Sequence, residues 1–204
     1  MSKSSKRWLQ EHERDAFVKQ ARQTQYRSRA VYKLMEIDKQ DQLFHPGQTV
    51  IDLGAAPGSW SQYAAERTGN RGLVLAVDIL PMQPMDNVKI VNGDFTEQTT
   101  VDDCLDQLDG KQADLVISDM APNISGIRTT DQARSMYLAE LTYEFACTVL
   151  KQDGGMLVKM FQGQGTDPYR QQLADVFQRV KYRKPKASKD SSREFYILAQ
   201  GYNV

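Results

Sequence analysis

Residues 50–60 read VIDLGAAPGSW, and this stretch decides the fold. The β-branched lead-in of Thr49, Val50 and Ile51 suits an interior strand, which ends in an acid, Asp52. Gly54 and Gly58 then free the backbone for a tight turn, and Ser59 stands where it would cap a helix starting at Trp60. Amides at such a helix start favour negative charge. On this stretch alone two readings stand, a bare strand-to-helix turn and a cradle for a small anionic or nucleoside ligand.

The rest of the chain repeats the strand-then-helix alternation. Strand-like runs fall at 49–55, 73–79, 88–94, 113–120, 155–161, 180–184 and 194–201, with helix-like segments at 28–40, 60–68, 96–108, 130–150 and 167–178. That order predicts a doubly wound α/β fold, about seven strands in a mostly parallel sheet wrapped by helices. The last two strands are joined by a basic loop and no obvious helix, so they are expected to pair antiparallel at one edge. Residues 1–27 read as a basic N-terminal arm, and residues 28–204 as one domain with no repeat or linker dividing it.

Composition narrows the function classes. The chain has 204 residues, 40% hydrophobic and 25% charged, which is enough for one well-cored globular domain. No apolar run approaches the ~18 residues of a membrane span, and no signal-like apolar segment follows the basic start, so a cytoplasmic, membrane-free protein is expected. Cys104 and Cys147 lack any C-x-x-C spacing, and His12 and His45 are too few and too distant for a zinc site, so no metal is assigned. Net charge is zero, but residues 1–40 carry ten Lys/Arg against five Asp/Glu, residues 41–150 six against sixteen, and residues 151–204 ten against five. Two basic ends around an acidic middle favour a nucleic-acid partner over an evenly solvated surface.

In open sheets of this kind ligands bind at the carboxyl ends of the strands. Asp52 and Gly54 end the first strand, Asp78 the second, Asp94 the third, Asp119 the fourth and Lys159 the fifth. Four successive strands each ending in an acid line a site suited to ribose hydroxyls and a nucleoside. The glycine spacing G-A-A-P-G departs from G-x-G-x-x-G, and Pro57 removes an amide that a pyrophosphate site would use, so a dinucleotide fits poorly.

At this point the motifs DLGAAPGSW, AVDI with Asp78, NGD at 92–94 and SDMAPN with Asp119 resemble the sites of S-adenosylmethionine-dependent methyltransferases. Adding Lys33 in SRAVYKL, Lys159 in LVKMFQG and Glu194 in SREFYILA makes the chain similar, from about Ser28 to Tyr202, to the FtsJ-type ribose 2′-O-methyltransferases of ribosomal RNA. The resemblance implies a Rossmann-like methyltransferase fold and a catalytic tetrad of Lys33, Asp119, Lys159 and Glu194. It also implies a cofactor, S-adenosylmethionine, held by Asp52, Gly54, Pro57, Gly58, Trp60, Asp78, Asp94 and Asp119. The acceptor it implies is a uridine ribose in large-subunit ribosomal RNA, the protein acting as a monomer with no protein partner; a transfer-RNA or mRNA-cap ribose methyltransferase and a non-catalytic RNA-binding ribosome-assembly factor are the alternatives. RNA phosphates are expected on the basic arm and on the loop before the last strand, with Arg27, Arg29, Lys181, Arg183, Lys184 and Lys186 as the contacts.

The residues themselves agree with a hydroxyl acceptor. Neither cysteine follows a proline as a carbon-methylating nucleophile would, and Pro122 is followed by Asn123, with no aromatic there to stack a flipped base. A hydroxyl needs a base or a cation beside it. Lys159 lies within an apolar strand pattern, MLVKMF, where an unpaired lysine is costly, and this leaves two roles open, general base or cation steering the ribose oxygen. Trp60 likewise has two readings, cofactor contact or packing anchor.

Overall fold

The computed structural model describes residues 24–188 and 192–203. The expected arm therefore lies almost wholly outside the described residues, as does Lys189 of the basic loop. Helix α1 (Val31–Asp41) leads into strand β1 (Thr49–Leu53), followed by α2 (Ser59–Thr68), β2 (Leu73–Asp78), β3 (Val88–Asn92), α3 (Gln98–Leu108) and β4 (Ala113–Ser118). Then come α4 (Arg128–Val149), β5 (Leu150–Phe161), α5 (Thr166–Val176), β6 (Phe177–Arg183) and β7 (Glu194–Tyr202). The seven strands form one sheet in the order β3-β2-β1-β4-β5-β7-β6. Strands β1 to β5 pair in parallel; β7 runs antiparallel to both β5 and β6. The antiparallel pair expected at one edge is thus β6–β7, with β7 slotted inside β6.

Strand alternation distributes the core between two layers. Ile51, Leu53, Leu75, Val77 and Val116 face α3, α4 and α5, where they meet Cys104, Ala146, Val149 and Leu173. Val50, Val74, Leu115, Ile117, Leu157, Tyr196 and Leu198 face α1 and α2, where they meet Leu34, Ile37, Trp60 and Ala64. Each fully buried aliphatic side chain contributes roughly 1.5–3 kcal/mol. The interior strand β1 is buried along its whole length, as expected of a parallel strand covered on both sides.

Element ends differ from the sequence expectation in informative ways. Ser59 does not cap α2: the cap residue is Gly58, in the left-handed region at φ 107°, and the Ser59 hydroxyl pairs instead with that of Ser28 at 2.7 Å. Strand β5 starts at Leu150, ahead of the expected 155, but Asp153 has a φ of 63° and regular pairing with β4 resumes only at Gly155. No helix among the described residues is long and apolar enough to cross a membrane.

Candidate active site

The sheet alternation that fills the α1/α2 layer also selects the chemical residues. Leu115 and Ile117 face that layer, and Asp119, two residues further on, continues their side of the chain past the end of β4. In the antiparallel register Lys159 of β5 stands opposite Tyr196 of β7, and Phe161 opposite Glu194. Lys33 comes down from α1. Lys33, Asp119, Lys159 and Glu194, separated widely in sequence, are brought together at the carboxyl ends of β4 and β5.

They form two ion pairs. Lys33 Nζ lies 2.6 Å from Glu194 Oε1, both side chains 13% exposed. Lys159 Nζ lies 3.1 Å from Asp119 Oδ1 and donates at 2.5 Å to the backbone carbonyl of the same residue. The Lys159 side chain is only 7% exposed, so these acceptors offset a desolvation that would otherwise be severe.

Tyr196, absent from the sequence-based set, joins the pairs. Its hydroxyl donates to Asp119 Oδ1 at 2.7 Å, while Lys33 Nζ sits 5.9 Å from its ring centroid. Its phenol is pushed well above the ordinary range by burial first and then by the negative charges of Asp119 and Glu194, so it stays a donor. The signal available in the sequence was its position two residues after Glu194, on the same face of the same strand.

Beside the tetrad, the β1–α2 turn leaves a strip of backbone bare of side chains. Gly54 has a φ of 75°, and a Cβ there would collide with Met120 backbone at 2.9 Å. A Cβ on Gly58 would meet Met85 and Arg27. Asp78 closes the turn: its Oδ2 accepts from the Ala56 amide at 2.8 Å and its Oδ1 from the Leu80 amide at 2.8 Å. Asp94 accepts from the amide and hydroxyl of Thr96, and these bonds hold its carboxyl below the usual range. Asp78, Asp94 and Asp119 are all half-buried, along one continuous rim.

Two expected cofactor residues sit deeper than that rim. The Trp60 indole is 2% exposed, donates to the Ala30 carbonyl at 2.8 Å and packs on Tyr196, so its side chain is an anchor, leaving only backbone to face a ligand. Asp52 is fully buried; Oδ2 accepts from Ser61 at 2.6 Å and Oδ1 has no partner. Burial raises its pKa to about 7, against the lowering effect of the Ser61 hydrogen bond and with help from Asp119 and Asp78. Pro57 contributes its carbonyl, which accepts from Arg27.

The cations expected to meet RNA are largely engaged within the protein. Arg183 grips Asp41 through Nε at 2.6 Å and Nη2 at 2.7 Å, and Lys181 joins at 3.1 Å. Burial works to raise the Asp41 carboxyl, but the hydrogen bonds from Arg183 and Lys181 outweigh it and hold it low. Lys184 donates to the carbonyls of Ser192 and Glu194, and Arg29 to that of Ala187. Arg27 donates to the carbonyls of Pro57, Gln83 and Pro84, tying the incoming chain to the glycine turn and to the loop after β2. Lys186 is exposed and is fixed by its amide to Glu36.

The family model of FtsJ-like methyltransferases matches residues 26–202. The chain is 54% identical over 203 residues to "Ribosomal RNA large subunit methyltransferase E" of Marinobacter nauticus, covering 100% of this chain and 98% of that protein. It is 50% identical to the protein of the same name from Legionella pneumophila, with the same coverage. Among solved structures, one described as a ribosomal RNA methyltransferase from Plasmodium falciparum superposes with a TM-score of 0.79 at 30% identity, over 87% of this chain and 98% of that one. Human methyltransferase-like protein 13, solved in complex with SAH, shares the fold alone: TM-score 0.60, 13% identity, 84% of this chain and 82% of that one.

Proposed function

Because the chain belongs to the FtsJ-like methyltransferase family, we propose that it transfers a methyl group from S-adenosylmethionine to the 2′-hydroxyl of a uridine in large-subunit ribosomal RNA. The names of its relatives support the RNA, and the paired lysines and acids support the hydroxyl. The observation that carries the reading is the convergence of Lys159 and Tyr196 on one carboxylate, Asp119, beside the bare glycine strip.

The cleft residues fit the cofactor. The strip at Gly54 and Gly58 has no room for side chains of its own, the half-buried acids follow one another along the rim, and the buried Asp52 Oδ1 under the turn has no protein donor. Asp78 would meet the ribose, Asp94 the adenine end, and Gly58 with the backbone of Trp60 the methionine end. Bound there, the sulfonium supplies an electrophilic methyl group for in-line displacement.

The protein's own residues supply alignment and proton handling. Lys159 faces the acceptor oxygen and, once its own ammonium proton has passed to solvent, takes the hydroxyl proton as a neutral amine; Asp119 orients Lys159, and Tyr196 fixes Asp119. Lys33 and Glu194 hold the far side of the acceptor sugar. A second role for Lys159 is favoured by its double contact with Asp119: kept as an ammonium, it would stabilise the charge developing on the oxygen.

Large subunits from cells lacking the enzyme, incubated with the protein and methyl-labelled cofactor and digested to nucleosides, test the proposal. Label in 2′-O-methyluridine supports it; label on a base, or no transfer to the subunits, overturns it.

A further inference from the structure

Four large apolar side chains among the described residues are more than 60% exposed, and they come as two pairs: Ile79 with Leu80, and Ile124 with Ile127. The first pair follows Asp78 on the cofactor rim. The second lies in the loop between β4 and α4, beginning five residues after Asp119, and nothing in the proposed chemistry uses it. This loop is built rigidly: Asp131 in the first turn of α4 accepts from the Ser125 amide at 2.8 Å, the Ser125 hydroxyl at 2.7 Å and the Gly126 amide at 3.1 Å. An ordered loop that keeps two isoleucines in water has spent hydrogen bonds on presenting them.

Two arginines flank the pair. Arg128 and Arg193 line a cavity of about 420 Å³ whose far wall is the turn at Gly163–Gly165, and both also line an adjoining cavity of about 360 Å³ beside Ile124. Gln132 forms the wall shared by the two, fixed by donation to the carbonyls of Phe161 and Gln164. Among the described residues Arg128 has no hydrogen-bond or ion-pair partner, and Arg193 uses one guanidinium nitrogen on the Gln162 carbonyl. Asp131 is the carboxylate on this surface, and both of its oxygens are turned onto the loop's own donors. Arg193 directly precedes Glu194, and Phe161 lies two residues past Lys159, so the notch opens next to the tetrad.

We infer that this notch is the RNA-gripping surface at the methylation point, a deepening of the function proposed above and resting on it. Arg128 and Arg193 hold the phosphates flanking the target nucleotide, and Ile124 with Ile127 acts as an apolar wedge against the bases beside it, keeping the ribose unstacked in front of Lys159. Lys181, Arg183, Lys184 and Arg27 are bonded within the protein, whereas these two arginines meet in one concavity beside unpartnered apolar side chains.

The test compares full-length wild type with Arg128→Ala/Arg193→Ala, Ile124→Ser/Ile127→Ser, and a control, Arg71→Ala/Lys111→Ala, which removes equal charge at the opposite ends of the strands. Substrates are large subunits from cells lacking the enzyme, and cofactor-site integrity is read by calorimetry with S-adenosylhomocysteine. The arginine pair is expected to raise KM for subunits about tenfold or more and make the log–log salt slope of binding shallower by about 1.4, two single-strand phosphates. The isoleucine pair is expected to lower kcat at least about fivefold without changing that slope. Both variants and the control keep S-adenosylhomocysteine affinity within about twofold. Control-like behaviour of both variants, or loss of S-adenosylhomocysteine affinity in the arginine pair, overturns the proposal while the ribose reading stands. Wild-type protein that labels no ribose removes the reading, and this surface with it.

Discussion

Lys159 and Tyr196 stand opposite each other in the β5–β7 register, and both reach the same carboxylate oxygen of Asp119, at 3.1 Å and 2.7 Å. Antiparallel pairing places the two side chains on one face, and Asp119, extending from the end of β4, closes the triangle. Replacing Tyr196 by Phe keeps the ring packed on Trp60 and removes only the hydroxyl. A hydrogen bond to a charged group is worth about 1.5–3 kcal/mol, so kcat is expected to fall between about tenfold and a hundredfold with cofactor affinity unchanged. Steady-state kinetics with wild-type kcat in Tyr196→Phe would leave Asp119 oriented by Lys159 alone.

Arg27 ties the glycine turn to the loop after β2, across the cleft proposed for the cofactor. Its guanidinium meets three carbonyls, from the glycine turn and from the loop after β2. Arg27→Ala frees that loop and is expected to weaken S-adenosylhomocysteine binding about tenfold by calorimetry while the salt dependence of RNA binding stays as in wild type. A changed salt slope with unchanged cofactor affinity would return Arg27 to a phosphate-contact role.

The Asp41 cluster is structural. The Asp41 side chain is 1% exposed, and Arg183→Ala would leave its carboxylate to Lys181 alone. Breaking a buried pair from one side costs about 3 kcal/mol or more, to be read as a lower urea midpoint at unchanged m-value. Subunit affinity is expected to stay within about threefold once the variant is folded. A stable variant with weak RNA binding would contradict this assignment.

The fold was readable because its strands are dense in β-branched and apolar residues and end in acids, while each helix buries only one face. Asp119 and Lys159 stood out by residue type at strand ends, whereas Lys33, on α1, and Glu194, opening β7, entered only through the family resemblance. What remained hidden depends on pairing across long sequence separations. Tyr196 matters through its register with Lys159, and Arg183 through Asp41, 142 residues away. A count of basic residues between 179 and 193 cannot distinguish a cation facing solvent from one closing on a buried acid. Trp60 had two readings that only burial could separate, and Ser59 lost its capping role because Gly58 takes the left-handed position itself.

Asp52 makes stability depend on pH. Its folded pKa, about 7, is raised above the ordinary value of 3.8, mainly by burial, so the native state holds a proton that the unfolded chain releases. Its contribution is full below about pH 4 and is lost as pH rises to about 7. Asp52→Asn removes that loss: relative to wild type, its urea midpoint is expected to gain between pH 4.5 and pH 7.5. Parallel pH profiles for the two proteins would show that Asp52 is ionised throughout in the native state.

The most direct test of the account is single-turnover methyl transfer to unmethylated large subunits by wild type, Lys159→Ala and Lys159→Arg, with calorimetry confirming cofactor binding in each. Arginine keeps the positive charge and cannot accept a proton at these pH values. If Lys159 takes the ribose proton, both variants lose at least about a hundredfold in rate while binding cofactor as wild type does. A Lys159→Arg enzyme within about tenfold of wild type would contradict the base role and leave Lys159 as a cation that steadies the ribose oxygen.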